Sequence, residues 1–206
     1  MTVIIDYGVG NLFSLKSSLS YIGVESLVSG DPDVIRRADR LILPGVGAFR
    51  DAREKLRAGD LDKVVVAEAK GGKPLMGICL GMQMLFDRSF EYGQTEGLGL
   101  ISGEVRFIAP VIPEGYKIPH IGWNALHLSE KGRGSEVFKY ISEDDHVYFV
   151  HSFAAMDCLA DTLATAEYGA PLTAAVQCGN VYGMQFHPEK SGEVGLKILK
   201  AFSELK

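Results

Sequence analysis

The sequence predicts an α/β protein. It has a mostly parallel central sheet flanked by helices, an antiparallel or mixed extension in its second half, and one domain over residues 1–206. Three observations predict this. Through the first ninety residues, short and wholly apolar runs alternate with longer helix-like segments, the pattern of strands covered on both faces. From Glu104 to about Val181, β-type runs with Gly and Pro breaks dominate. A length of 206 residues, set against about 150 per domain, suits one α/β domain.

Taken in order, "TVIID" reads as the first strand. "NLFSLKSSLSYIG" reads as a helix with Leu12, Leu15, Leu19 and Ile22 on one face, stopped by Gly23. "VESLV" and "RLILPG" are the next strands. "AFRDAREKLRAGDLDKVVVAEAKGG" holds helical stretches that end at a glycine pair. "KPLMGI" is a fourth strand, and "LGMQMLF" opens another helix. "EYGQTEGLGLISG" reads as loop. The runs "EVRFIAP", "WNALHL", "HVYFVHSF", "TLATAEY", "LTAAVQ" and "VYGMQF" read as the strands of the extension. "SGEVGLKILKAFSELK" closes as an amphipathic helix with Val194, Ile198 and Ala201 on one face. No linker, repeat or low-complexity segment interrupts the chain.

The formal charge of -5 and the lack of a basic run argue against a nucleic-acid surface. No stretch approaches the ~18 apolar residues of a membrane span, and the start "MTVIIDYGVG" lacks the cationic segment of a signal peptide. Cys79, Cys158 and Cys178 are odd in number and in no CxxC pairing, which suits a reducing cytoplasm better than a disulfide scaffold or a zinc site. No cofactor and no metal are expected.

The reactive candidate is Cys79. Gly77-Ile78-Cys79-Leu80-Gly81 has the G-x-C-x-G form of a strand–turn–helix nucleophile elbow, with "PLMGI" as strand and "LGMQMLF" as helix. The glycines on either side admit close backbone approach, and the turn aims the thiol outward at a helix start, where unpaired N–H groups favour negative charge. The N–H of Leu80 is a natural oxyanion donor. A free cysteine buried in an ordinary βα turn is the plainer reading of the pentapeptide alone.

A base decides between them. Of His120, His127, His146, His151 and His187, the last stands out. It ends an apolar run, Pro188 blocks continuation of the strand, and Glu189 follows two residues on. Cys79, His187 and Glu189 then form a nucleophile, a base and a carboxylate that orients the base. His127 reads as an ordinary sheet or surface position. His146 and His151 fall on opposite faces of one strand and make poor joint metal ligands. Cys158 and Cys178 have no such setting. "YGVGNLF" begins like a dinucleotide fingerprint, but Phe13 stands where the third glycine belongs, and "GGKPL" lacks a phosphate loop.

Three motifs in order, "LPGVG" (Leu43–Gly47), "GICLGMQ" (Gly77–Gln83) and "FHPEK" (Phe186–Lys190), resemble the class I (triad) glutamine amidotransferases nearly end to end. Within that family "DYGVGNL" (Asp6–Leu12), "PHIGWN" (Pro119–Asn124), "YFVHSF" (Tyr148–Phe153) and a lysine directly after the triad glutamate are similar to one branch. Its members are the glutaminase subunits that serve imidazole glycerol phosphate synthase in histidine biosynthesis.

The resemblance implies hydrolysis of glutamine through a Cys79 thioester. It implies a second oxyanion donor from Gly45, Val46 or Gly47, and glutamine contacts at Gln83, Ser152 and Phe153. It also implies delivery of ammonia to a (β/α)8-barrel cyclase, with Asn11, Trp123, Tyr148 and Lys190 as candidates for the partner face. The alternatives are the glutaminase of anthranilate, pyridoxal phosphate or purine synthesis, a cysteine hydrolase of related fold, and a non-catalytic binding module.

Overall fold

In the computed structural model, which describes residues 1–205, the strands anticipated in the first half pair as a parallel sheet. The eight-stranded sheet runs in the order Ser26–Ser29, Thr2–Ile5, Arg40–Leu43, Leu75–Ile78, Val181–Met184, Pro171–Cys178, Thr162–Glu167, His127–Leu128. The first five are parallel neighbours and the last three add on antiparallel. The Leu75–Ile78 and Val181–Met184 strands are buried along their whole length, as their apolar runs require when both faces are covered.

Helices lie on both faces. On one, Leu15 and Leu19 of the Leu12–Tyr21 helix pack with Ile198, Leu199 and Phe202 of the Gly192–Ser203 helix. On the other, Phe49, Ala52 and Leu56 of the Phe49–Ala58 helix pack with Val64 and Val65 of the Leu61–Lys70 helix. The expected stripe on the last helix is rotated slightly: Ile198 and Ala201 are buried, while Val194 is only partly so. Gly23 ends the first helix with φ +75°, a conformation that suits glycine.

Five segments depart from the sequence reading. Val181–Met184, read with the extension, lies inside the main sheet and pairs parallel with Leu75–Ile78, because its apolar run is buried on both faces. A helix over Pro32–Arg37 was not anticipated, although its signals are present: Asp31 caps it, accepting from Asp33 N–H at 2.8 Å, and Pro32 opens it. The helix after Cys79 ends at Met84, and Phe86 begins a strand, Phe86–Ser89. The segment read as loop contributes the strand Thr95–Glu96 and the start of Ile101–Phe107. "WNALHL" and "HVYFVHSF" each break and change partners. His120–Ala125 pairs with His146–His151 as a two-stranded ribbon, whereas His127–Leu128 edges the main sheet and Phe153–Met156 joins a third sheet. Alternating apolar residues say that a strand forms but not with which neighbour it pairs.

Candidate active site

The Leu75–Ile78 strand ends at Cys79, which takes φ +54° and ψ -112° before the chain enters the Leu80–Met84 helix. A non-glycine residue there costs about 1–3 kcal/mol and persists only where surroundings impose it. The surroundings are on hand. Cys79 N–H donates to the Met184 carbonyl at 2.7 Å, and Gln83 N–H to the Cys79 carbonyl at 3.1 Å. The flanking glycines are required by close approach. A Cβ on Gly81 would stand 1.9 Å from the Leu43 carbonyl oxygen, and one on Gly77 would stand 2.6 Å from that of Gly81.

His187 follows the neighbouring strand, so the first half of the chain and its last twenty residues meet here. Its Nδ1 pairs with Glu189 Oε1 at 2.9 Å, the two side chains being 3% and 4% exposed. Burial alone would lower the proton affinity of the imidazole. Hydrogen bonds to Cys79 and Glu189, with their charges, override it and raise its pKa to about 9. His187 N–H donates to the Tyr148 carbonyl, and Ser191 Oγ donates to the His187 carbonyl, which fixes the turn.

A pocket of about 290 Å³ opens over the sulfur. Its lining includes Val46, Gly47, Leu80, Gln83, Ser152, Phe153 and His187, all anticipated, together with Glu91, Pro119, Val150 and His151. The Leu80 N–H, first in its helix, has no partner within the helix. Gly45 differs from its two neighbours. It does not line this pocket but lies under the elbow, where a Cβ would meet Gly81 N at 2.7 Å and Leu80 Cβ at 2.9 Å. "DYGVGNL" buttresses the same loop: Tyr7 Oη donates to the Pro44 carbonyl at 2.6 Å, and Gly10 leaves room for the Pro44 ring.

Gln83 does more than face the pocket. Its Nε2 donates to the Phe153 carbonyl at 2.9 Å and to Gln185 Oε1 at 3.1 Å. Gln185, fully buried, turns its own Nε2 toward Cys79 Sγ at 3.9 Å. Sequence reasoning missed Gln185, though a signal existed: it stands two residues before His187, on the same side of an extended run. Glu91 and His151 were missed as pocket residues, and nothing local distinguishes Glu91 within a polar glycine-rich stretch.

The partner-face candidates lie outside this pocket. Trp123 is 53% exposed, so it is not a core residue. It stands opposite Tyr148 across the ribbon, ring centroids 6.1 Å apart, and Lys190 Nζ lies 5.9 Å from the centre of the Tyr148 ring. Asn11 has a second role: its Oδ1 caps the first helix, and with His187 and Glu189 it lines a small cavity beside the triad.

Among the described residues one group has metal-ligand spacing, His127 with Glu143 and Asp144. It is exposed and shares no residue with the pocket. Among the same residues no helix is long and apolar enough to cross a membrane.

Residues 3–204 match the family model described as glutamine amidotransferase class-I. The chain belongs to that family. Among curated class I amidotransferase relatives, the imidazole glycerol phosphate synthase subunit HisH of Lacticaseibacillus casei is 51% identical, over 100% of this chain and 96% of the relative. The subunit of the same name from Oceanobacillus iheyensis is 46% identical, over 100% and 99%. Among solved structures, PurLQS from Thermotoga maritima superposes with a TM-score of 0.72 at 22% identity, covering 98% of this chain and 96% of that one. At that identity the superposition speaks for the class I amidotransferase fold alone.

Proposed function

We propose that this chain is the glutaminase subunit of an imidazole glycerol phosphate synthase, acting as one domain that cleaves glutamine and passes ammonia to a cyclase in histidine biosynthesis. The observation that carries the reading is His187 paired with Glu189 at 2.9 Å and lining, together with Cys79, the same 290 Å³ pocket. Names shared by relatives up to 51% identical over the whole chain supply the pathway.

Cys79 sulfur attacks the side-chain amide carbon of glutamine. The tetrahedral oxyanion is received by the Leu80 N–H and by the Val46–Gly47 loop. With a pKa near 9, His187 carries the proton that the departing nitrogen needs. A Cys79 thioester remains. Neutral His187 then takes a proton from water, whose oxygen attacks the thioester and releases glutamate. Gln83 braces the Ser152–Phe153 shelf beneath the amino acid, and the Glu91 carboxylate in the pocket wall is a partner for the substrate ammonium.

Free ammonia at neutral pH is mostly ammonium, which is not a nucleophile, so a dry hand-over to a second active site preserves it. The partner in this reading is a (β/α)8-barrel cyclase. It uses the ammonia on an aminoimidazole-carboxamide ribonucleotide derivative bearing two phosphates. Its products are imidazole glycerol phosphate and an aminoimidazole carboxamide ribotide. The Trp123–Tyr148–Lys190 cluster, together with Asn11 at the small cavity beside Glu189, is the docking face in this reading. Three unpaired cysteines suit a cytoplasmic setting.

The test is a glutaminase assay with and without the cyclase and its nucleotide ligand. Weak hydrolysis alone and strong stimulation by both together are expected, with turnover lost in Cys79→Ser. Full turnover by Cys79→Ser in the complex would remove Cys79 as nucleophile. Failure to restore a histidine auxotroph lacking only this subunit would remove the pathway.

A further inference from the structure

Behind the shelf lies a chain of side chains that the cleavage mechanism does not use. His151 Nδ1 faces the Phe153 carbonyl at 2.9 Å, and its Nε2 faces His120 Nδ1 at 3.1 Å. His120 Nε2 faces Asn124 Oδ1 at 2.8 Å, and Asn124 Nδ2 donates to the Glu167 carbonyl at 2.9 Å. His120 is fully buried and His151 nearly so, with His120 stacked on Tyr168 at 4.0 Å and on Phe149 at 5.0 Å.

Both ends of this chain are oxygen acceptors, and that sets its proton count. His151 Nδ1 must carry a proton to meet the Phe153 carbonyl, and His120 Nε2 must carry one to meet Asn124 Oδ1. The central nitrogen pair needs a third. Two neutral imidazoles supply two. Reversing the Asn124 amide only moves the mismatch to the Glu167 carbonyl. The fully bonded chain therefore holds one proton more than two neutral rings.

We propose that His120 and His151 are a single positioning unit for the Phe153 carbonyl, and with it the glutamine shelf, which closes on that carbonyl when the two rings take up one shared extra proton in acid. The inference deepens the glutaminase reading and rests on it for the identity of what lies on the shelf. With two protons only, the cheapest bond to leave unmade is the one to Phe153, because that carbonyl keeps its bond from Gln83. Taking up the third proton closes it and stiffens the shelf.

The titratable groups facing the pair are few. Burial opposes the extra proton most, lowering the pKa of His151 to about 4 and lowering that of His120, and the charges of His120 and His187 add to it at His151. Cys79 and Glu91 line the same pocket, and the Tyr168 hydroxyl is turned away to the Lys117 carbonyl. The ribbon's alternation puts His120, Asn124 and His151 on its inner face and Ile121, Trp123 and Tyr148 on its outer one.

The experiment uses the full chain, with nitrogen-15-labelled histidine followed by NMR from pH 8 to pH 4. His120 and His151 should change together in one step below the ordinary histidine value of 6.5. In a Cys79→Ala background glutamine should bind more tightly as that step is crossed. His120→Gln should weaken binding by roughly threefold to tenfold, the range of one hydrogen bond, and remove its pH dependence. Asn124→Asp, which sets a carboxylate against His120 Nε2, should move the shared step up by about one pH unit or more. Independent steps for the two rings, a step unmoved by Asn124→Asp, or unchanged pH dependence in His120→Gln would overturn the proposal. A shared step in a protein that binds no glutamine would uphold the pair and sink the glutaminase reading instead.

Discussion

Two buried histidines line one pocket and are driven in opposite directions. His187, at the end of the Val181–Met184 strand, is raised to about 9, while His151, at the end of the outer ribbon, is lowered to about 4. Burial pushes both down. The difference lies in the surroundings of each ring: His187 is bonded to the Glu189 carboxylate and influenced by Cys79, which lines the same pocket, whereas His151 has a backbone carbonyl and another imidazole. Burial by itself does not make an acid–base catalyst; the partner at hydrogen-bond distance decides which form the protein holds.

Removing the partner carboxylate should collapse the contrast. Glu189→Gln keeps the shape of the side chain but withdraws its charge. Steady-state glutaminase rates should drop by about 10³–10⁴, as when a triad carboxylate is neutralised elsewhere, and the His187 titration should move down toward 6.5. A rate within a few-fold of the parent would show that Glu189 does not set the state of the ring.

Solution pH sharpens the comparison from both sides. Above pH 9 His187 loses the proton it must give to ammonia, so kcat should fall about tenfold per pH unit on that limb. A pH–rate profile still flat at pH 10 would contradict this.

Stability should follow with opposite signs. The contribution of His187, raised above 6.5, is fully present below that value and lost as pH climbs through about 9. That of neutral His151 is present above 6.5 and lost as pH falls toward 4, because the unfolded chain takes up its proton first. Urea midpoints across this range should therefore sag at both edges, and His151→Gln should flatten the acid edge alone.

The smallest effect is expected on the outer face of the ribbon. Trp123→Ala should change stability by about 0.5 kcal/mol or less, since the ring is more than half exposed. It should also leave hydrolysis by the isolated chain near the parental rate while weakening stimulation by the cyclase. A large loss of stability in thermal melts would place Trp123 among the packing residues.

Much of the candidate site was legible in the sequence. Cys79 between Gly77 and Gly81, and His187 before Pro188 and Glu189, are local patterns with local causes. So were four of the five parallel strands, as apolar runs between helical segments; the fifth, Val181–Met184, read as part of the extension, and its place beside Leu75–Ile78 is set only by the fold. The pairing of the later strands was not legible: His120–Ala125 and His127–Leu128 are adjacent in sequence and belong to different sheets. Nor was the role of Gly45, whose closeness to Gly81 depends on two separate strand ends meeting.

The chain by itself therefore determined which residues could react and where strands and helices would form, because steric and periodic constraints act over a few residues. Only the tertiary structure decided what each reactive group meets. It set Gln185 beside the sulfur, Glu91 in the pocket wall and His120 against His151. Those contacts join residues as far as 106 positions apart, and the proton affinities they set arise from burial and hydrogen bonding that no short stretch of sequence contains.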